Sequence, residues 1–496
     1  MPRRPMTEPQ SHELGDVPIA EYREQLRRMA EWAADYRENI ESLPVASSTK
    51  PGEISRKLPS APPENGENFD AIFADLKEIV VPGMLNWAHP AFLAYFGCTS
   101  TAPGVLGEIA SAVFNINAMT WRTCPAATEL EIVMVDWLRQ WLQLPREFGG
   151  VVYDTASISI LHALAAAREE VVPGARSLGT AGAPPLRVYT SDQAHSSIDK
   201  AVIALGIGEK NVVRVPSDEN FRMRADALRD SIQHDLAAGL KPLAVVATCG
   251  TTSSASVDPI VAIATICQEQ KLWLHIDAAY GGGLALLPEE RSIVDGWASA
   301  DSLVINPHKM LFVPLDFSVL YVRDLERLRR VFSLVPEYLR GDTVEAERNY
   351  MDYGVPLGRR FRALKAWMVF RTFGRRGIAA RIREHLRLAK LFGEWITASP
   401  DFELSAPLSM GVVCFRGTMA QPEDIDSFNS QIVESVNRSG RAYLNQTKLR
   451  GRTAIRLGLG NVLTTEKHLH DGWELIQETA RSISSAAGSN NPSSRA

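Results

Sequence analysis

The chain has 496 residues, 45% of them apolar, and a formal net charge of −5. That length buries a large core and divides into two or three domains, and the mild acidic charge excludes a bulk attraction to nucleic acid. Five scattered cysteines, odd in number and without a CxxC pair, exclude a disulfide scaffold and a structural zinc site.

Residues 1–15 read as a loose leader with no apolar stretch behind it, so no signal peptide is expected. No apolar 20-mer follows anywhere, so no membrane span is expected and the cytoplasm is the default compartment. From Gly15 to Ile40 the spacing of Tyr22, Leu26, Met29, Trp32, Ala33 and Tyr36 predicts a helix. Pro44 to Asn68 is rich in Pro, Gly, Ser and Glu and reads as an extended strap. Helix and strap, residues 1–95, cannot bury a core alone and are expected to pack on a second subunit.

Apolar runs then alternate with helical stretches through residues 96–385. Leu186–Thr190, Asn211–Val215, Leu243–Thr248, Leu272–Ile276 and Ser302–Ile305 read as strands, and Ile260–Gln270 as a helix between two of them. This predicts an α/β domain with a mostly parallel sheet. Phe317–Val322 adds a candidate antiparallel strand. Arg359-Arg360-Phe361-Arg362 is too short a basic run to outweigh the overall charge. A basic helical stretch at 375–395 leads into a smaller C-terminal domain, residues 386–482, with strands near 402–404, 412–416 and 454–457. Residues 483–496 are rich in Ser, Ala and Asn and read as a disordered tail.

Ligands in such sheets sit beyond the carboxyl ends of the strands. Three chemistry-bearing residues fall there. Asn306-Pro307-His308-Lys309-Met310 places a lysine beside an imidazole, about thirty residues after Asp277, which closes the run Trp273-Leu274-His275-Ile276. That pairing suits pyridoxal 5'-phosphate (PLP): the lysine amine forms the Schiff base and the aspartate keeps the pyridine nitrogen protonated. Asp277 also reads as a helix cap. His195, just after a strand, reads either as a capping or core histidine or as the cover of the cofactor ring. Thr155-Ala156-Ser157 opens a helical stretch and offers a phosphate cup or a plain cap. His308 adds a donor there. Thr252 is placed to bond the ring hydroxyl or a bound carboxylate.

These ordered runs resemble the group II PLP-dependent amino acid decarboxylases, most closely the aromatic-L-amino-acid branch. The segments that carry the resemblance are His89–Phe96, Thr128–Pro145, His195, Trp273–Ala279, Asn306–Lys309, Pro356–Trp367 and Tyr443–Glu466, spread over roughly residues 15–480. The resemblance implies a fold type I transferase-like architecture. Its large domain holds a mostly parallel seven-stranded sheet, beside a small α+β domain and an N-terminal helical segment. It also implies a homodimer with the site at the subunit interface. Lys309 matches the family's Schiff-base lysine, Asp277 its pyridinium carboxylate and His195 its stacking histidine. Ala156, Ser157, Thr252, Ala279 and His308 match cofactor contacts. Trp87, Tyr95 and Phe96 match the aromatic substrate wall, with Met119 near a place where an aromatic is common.

Tyr338 matches the tyrosine that protonates the substrate α-carbon after carbon dioxide leaves. Related aldehyde synthases often carry phenylalanine there, and others replace the stacking histidine with asparagine. Tyr338 and His195 together therefore favour simple decarboxylation of phenylalanine, tyrosine, dopa or tryptophan, with no metal involved. An aromatic aldehyde synthase and a catalytically impaired PLP-fold protein are the rivals. Two departures stand out. Asp154 and Ile158 flank the phosphate cup where the family has glycine and a carboxylate, and Gly97-Cys98 replaces Pro-Thr in the wall.

Overall fold

The computed structural model describes residues 15–98, 100–334, 347–421 and 423–489. Contacts divide these into a unit that ends at His89 and one that begins at Pro90. In the first unit, helix α1 (Ile19–Glu38) buries none of its own residues. Arg28 joins it to the short helix that follows the strap, pairing with Asp70 at 2.6 Å and lying 5.1 Å over the Phe69 ring. The strap itself is not wholly extended, since Glu53–Lys57 forms a short helix. Of the expected leader, residues 1–15, all but Gly15 lie outside the described residues.

The second unit is built on a seven-stranded sheet: β1 (Gly149–Tyr153), β2 (Leu186–Ser191), β3 (Val212–Val215), β4 (Lys241–Thr248), β5 (Trp273–Asp277), β6 (Ser302–Ile305) and β7 (Ser318–Val322). The order across the sheet is β1-β7-β6-β5-β4-β2-β3. β7 runs antiparallel to both neighbours, while β2, β3, β4, β5 and β6 pair in parallel. Residues 243–248 are all buried, as a strand covered by helices on both faces must be. Helices α2 (Ala102–Phe114), α3 (Pro125–Trp141), α4 (Ala156–Val171) and α5 (Ile260–Gln270) belong to this unit. This is the fold type I α/β architecture that the resemblance implies.

β1 is absent from the sequence reading because it opens on two glycines. Packing requires them: a Cβ on Gly150 would lie 2.5 Å from the Val135 side chain. The strand's end is pinned by a buried ion pair. Arg359 Nη2 donates to Glu131 Oε1 at 2.7 Å and to the Val152 carbonyl at 2.7 Å, and Glu131 accepts the Val152 N–H at 3.0 Å.

Helix α6 (Ala363–Ala398) bends at Gly374, where φ is +60°, and contains the expected domain boundary at 385/386. An antiparallel sheet follows, in the order β10-β11-β9-β8, from β8 (Phe402–Leu404), β9 (Val412–Gly417), β10 (Asn445–Leu449) and β11 (Arg452–Gly458). β10 alternates polar and apolar residues weakly and was not expected. Helix α7 (Glu466–Ser489) corrects the expected tail: residues 483–489 continue the helix, and 490–496 lie outside the described residues.

Candidate active site

The parallel strands deliver the site. Thr155–Ser157 follow β1, His195 follows β2, Thr248 ends β4, Asp277 ends β5, and Asn306 to Lys309 follow β6. All of them except Pro307 line one cavity of about 140 Å³, together with Phe96, Thr252, Ala279 and Tyr280. A larger cleft of about 690 Å³ near β8 and β11 is lined by two acids and three bases (Glu219, Glu403, Arg416, Arg450, Arg452) and by no lysine, cysteine or histidine. The chemistry sits in the smaller one.

Lys309 is held by its backbone, its N–H donating to the Asn306 carbonyl at 2.9 Å. Its Nζ lies 4.8 Å from the centre of the Phe96 ring. Burial lowers its pKa, Asp277 and Cys98 oppose that, and Arg456 adds to it. The balance is a lowered pKa, a shift toward the nucleophilic form of the amine.

Asp277 is buried, accepts the Ala279 N–H at 3.1 Å, and has no ion-pair partner among the described residues. A buried carboxylate without a cation is costly, and a cationic ring nitrogen would relieve that cost. His195 stands at the rim with its ring exposed. Its Nδ1 accepts the Ser197 N–H at 3.1 Å, which leaves the proton on Nε2. Burial of its inner edge lowers its pKa, Asp277 raises it and Lys309 lowers it. His308 is fully buried and accepts the Phe317 N–H at Nδ1, 3.0 Å away. Burial pushes it down to about 3, so its Nε2 is a neutral donor at physiological pH.

At the start of α4, Thr155 is extended (φ −135°, ψ 159°) and its side chain caps nothing. Ile158 and Ser159 donate their N–H groups to the Thr155 carbonyl. Among the described residues the Ala156 and Ser157 N–H groups find no backbone acceptor, which leaves them to an anion. The Asp154 carboxylate turns back to the Thr155 N–H at 2.6 Å and does not line the cavity. It nonetheless takes one donor from the cup.

Tyr95 and Met119 do not line the cavity. Tyr95 is 43% exposed, with φ at +54°. Met119 spends its carbonyl on the Met351 N–H. Trp87 belongs to the first unit, where it is 38% exposed. Tyr338 lies outside the described residues.

Five lining residues carry no role in the sequence reading: Ser197, Thr248, Gly250, Tyr280 and Asn306. Thr248 is the register partner of Asp277. Thr248 Oγ1 and Asn306 Oδ1 are buried without a hydrogen-bond partner among the described residues. Gly250, at φ +98°, forms a tight wall in which a Cβ would sit 3.0 Å from the Gly281 nitrogen. Asn306 stood inside the quoted lysine run, and its type was the only signal.

An unpaired carboxylate, free helix-start N–H groups, a neutral imidazole donor, orphaned oxygens and a nucleophilic amine fit a group with a basic ring nitrogen, an aldehyde and a phosphate. Sheet and site together define a fold type I PLP-dependent enzyme. The conserved domain of the pyridoxal-dependent decarboxylases matches residues 51–418. The chain belongs to that family, the group II PLP decarboxylases, and PLP is its cofactor.

The chain is 38% identical to phenylacetaldehyde synthase of Arabidopsis thaliana, covering 92% of this chain and 96% of that one. It is 37% identical to tryptophan decarboxylase 2 of Oryza sativa subsp. japonica, over 93% and 95% of the two chains. The crystal structure of Oryza sativa TDC with PLP and tryptamine superposes with a TM-score of 0.91 at 36% identity, over 95% of this chain and 99% of that one. Such relatives act as aromatic amino acid decarboxylases or as aldehyde synthases. Among the described residues no helix is long and apolar enough to cross a membrane.

Proposed function

We propose that the chain removes the carboxyl group of an L-aromatic amino acid (phenylalanine, tyrosine, dopa or tryptophan) to give the arylethylamine and carbon dioxide. The observation that carries this reading is the wall beside the reacting amine: Phe96 lies under Lys309 Nζ and stacks on Tyr280 with ring centres 3.9 Å apart. An aromatic side chain gains offset or edge contacts against such a pair.

Bound in the cavity, PLP supplies an electron sink for the pair left when carbon dioxide departs. Lys309 holds the cofactor and yields it to the substrate amine. Asp277 keeps a proton on the pyridine nitrogen. His195 covers the ring face and presents Nε2–H at the rim, where a substrate carboxylate arrives. Ala156 and Ser157 bind the phosphate, with the Nε2–H of His308 as a further donor, and Thr252, Ala279, Thr248 and Asn306 complete the cofactor's surroundings. Tyr338 returns a proton to the substrate α-carbon. Trp87, Tyr95 and Met119, which do not line the cavity, belong in this reading to an outer part of the substrate wall, beyond Phe96 and Tyr280.

The enzyme works as a cytoplasmic homodimer. Support comes from the exposed apolar stripe Leu106, Ile109 and Val113 on α2, and from Ile19, Tyr22 and Leu26 left exposed on α1. Both are suited to a second copy.

A second reading, an aromatic aldehyde synthase, rests on the 38% identity to phenylacetaldehyde synthase. Assays for peroxide and ammonia separate the two. The expected product is amine with neither. Stoichiometric peroxide and ammonia with aldehyde would establish the second reading. Y338F is expected to shift wild-type amine formation toward aldehyde, and an unchanged amine yield would remove Tyr338 from the mechanism.

A further inference from the structure

Arg456 lies on β11 and is 3% exposed. Its Nη1 donates to the Tyr95 carbonyl at 2.7 Å and its Nε to the Ser253 carbonyl at 3.0 Å. Its Nη2 is buried and has no hydrogen-bond partner among the described residues. Burial lowers its pKa, and among the described residues the charges that oppose this come from Cys414 and Tyr280, not from a carboxylate. A guanidinium buried without a counter-ion is expensive to keep. Two backbone carbonyls and one aromatic face compensate. The guanidinium carbon lies 4.6 Å from the centre of the Phe96 ring, the same ring that lies 4.8 Å from Lys309 Nζ.

The chain around Arg456 is arranged for this contact. Tyr95 adopts φ +54°, a left-handed conformation that non-glycine residues avoid, and in it the carbonyl meets Arg456. A Cβ on Gly458 would sit 2.2 Å from that carbonyl oxygen, so the glycine admits the close approach. Phe96 follows Tyr95 directly. It is therefore gripped twice, through its ring and through the peptide before it.

We propose that Arg456 is a positioning residue of the reaction site: it fixes Phe96 as the wall that lies against Lys309 and against an aromatic substrate. The inference rests on Lys309 being the amine that takes up PLP. It has two separable consequences. The wall's position sets how tightly the substrate's ring is held. The charge of Arg456, felt at Lys309, disfavours a second charge there. The other groups that face Lys309 are Asp277, Cys98, His195 and His308, and substitution of Arg456 leaves all four in place.

The test uses the full-length apoprotein and PLP, with R456M and R456K beside the wild type. Circular dichroism and gel filtration check the fold of each. The visible absorbance band that marks cofactor joined to Lys309 is followed against pH, and KM and kcat are measured with an aromatic amino acid. In R456M the pH midpoint of cofactor attachment is expected to move alkaline by about half a unit or more. KM is expected to rise about tenfold while kcat changes less than about threefold.

R456K keeps the charge and loses the planar fork, so its midpoint is expected to stay while KM rises. It carries the test if R456M does not fold. Wild-type midpoint and wild-type KM in a folded variant would overturn the inference. A wild-type protein that forms no such band would overturn the reading of Lys309 itself, and this inference with it.

Discussion

Asp277 Oδ1 accepts the N–H of Ala279 at 3.1 Å, two residues on, and among the described residues no cation is paired with that carboxylate. The bond fixes the carboxylate at the end of β5 while leaving the second oxygen for the cofactor's ring nitrogen. Asp277→Asn keeps the shape and removes the charge. Activity is expected to fall on the order of 10²- to 10³-fold, with PLP still attached to Lys309 by its visible absorbance. Full activity in D277N would remove the carboxylate from the reaction.

Asp154 spends the Thr155 N–H on its own carboxylate at the mouth of the phosphate cup. Asp154→Gly frees that donor and removes a like charge near the phosphate dianion. The affinity for PLP is expected to tighten about tenfold, or about 1.4 kcal/mol, in a cofactor titration of the apoprotein. Unchanged or weaker affinity would show that the turn is neutral toward phosphate.

Much of this site is legible in the sequence because its chemistry-bearing residues end long apolar strands. β4 and β5 read clearly, since consecutive β-branched and apolar residues there are buried on both faces. Lys309, Asp277 and His195 follow from residue type and place. Thr248 and Asn306 do not, because their part depends on which polar atoms remain unpaired once the sheet has closed. Arg456 is not legible for a similar reason: it stands 134 residues after Val322, the end of the last strand of the seven-stranded sheet, and the pairing of β11 with β9 brings it to Phe96. The resemblance places Tyr95 in the substrate wall, while its positive φ turns its carbonyl to Arg456, a backbone contact that residue type does not reveal.

Three buried histidines make the protein acid-sensitive. Burial pushes His162 to about 3, His275 to about 4 and His308 to about 3, all below the 6.5 of a free imidazole. The unfolded chain therefore binds protons that the folded chain refuses. Stability is lost as pH falls below about 6.5, by roughly 2 kcal/mol per histidine at pH 5. Asp258 works the other way: burial raises it from 3.8 to about 7, so its contribution is lost as pH rises through that window. The lowered imidazoles, His385 among them, outnumber the raised carboxylates Asp258 and Asp352. The urea midpoint is expected to drop clearly from pH 7 to pH 5, and an unchanged midpoint would contradict the buried neutral imidazoles.

Arg359 and Glu131 form the buried pair that holds the end of β1, three residues before the phosphate cup begins at Thr155. Arg359→Leu leaves the Glu131 carboxylate buried and alone. A loss of about 3–5 kcal/mol in unfolding free energy is expected, with weaker PLP affinity. The double change R359L/E131L is expected to recover part of the stability, because neither charge is then orphaned. A double variant no more stable than R359L would show that the pair's worth lies in the Val152 bonds alone.

The account's central claim is tested most directly by offering the PLP-loaded protein a panel of L-amino acids and measuring carbon dioxide and amine together. The panel holds phenylalanine, tyrosine, dopa, tryptophan and, as an acidic control, glutamate. The expected result is carbon dioxide and arylethylamine in equal amounts from at least one aromatic member, with no peroxide and no turnover of glutamate. Carbon dioxide released from glutamate alone, or from none of the panel by a protein that binds PLP, would contradict it.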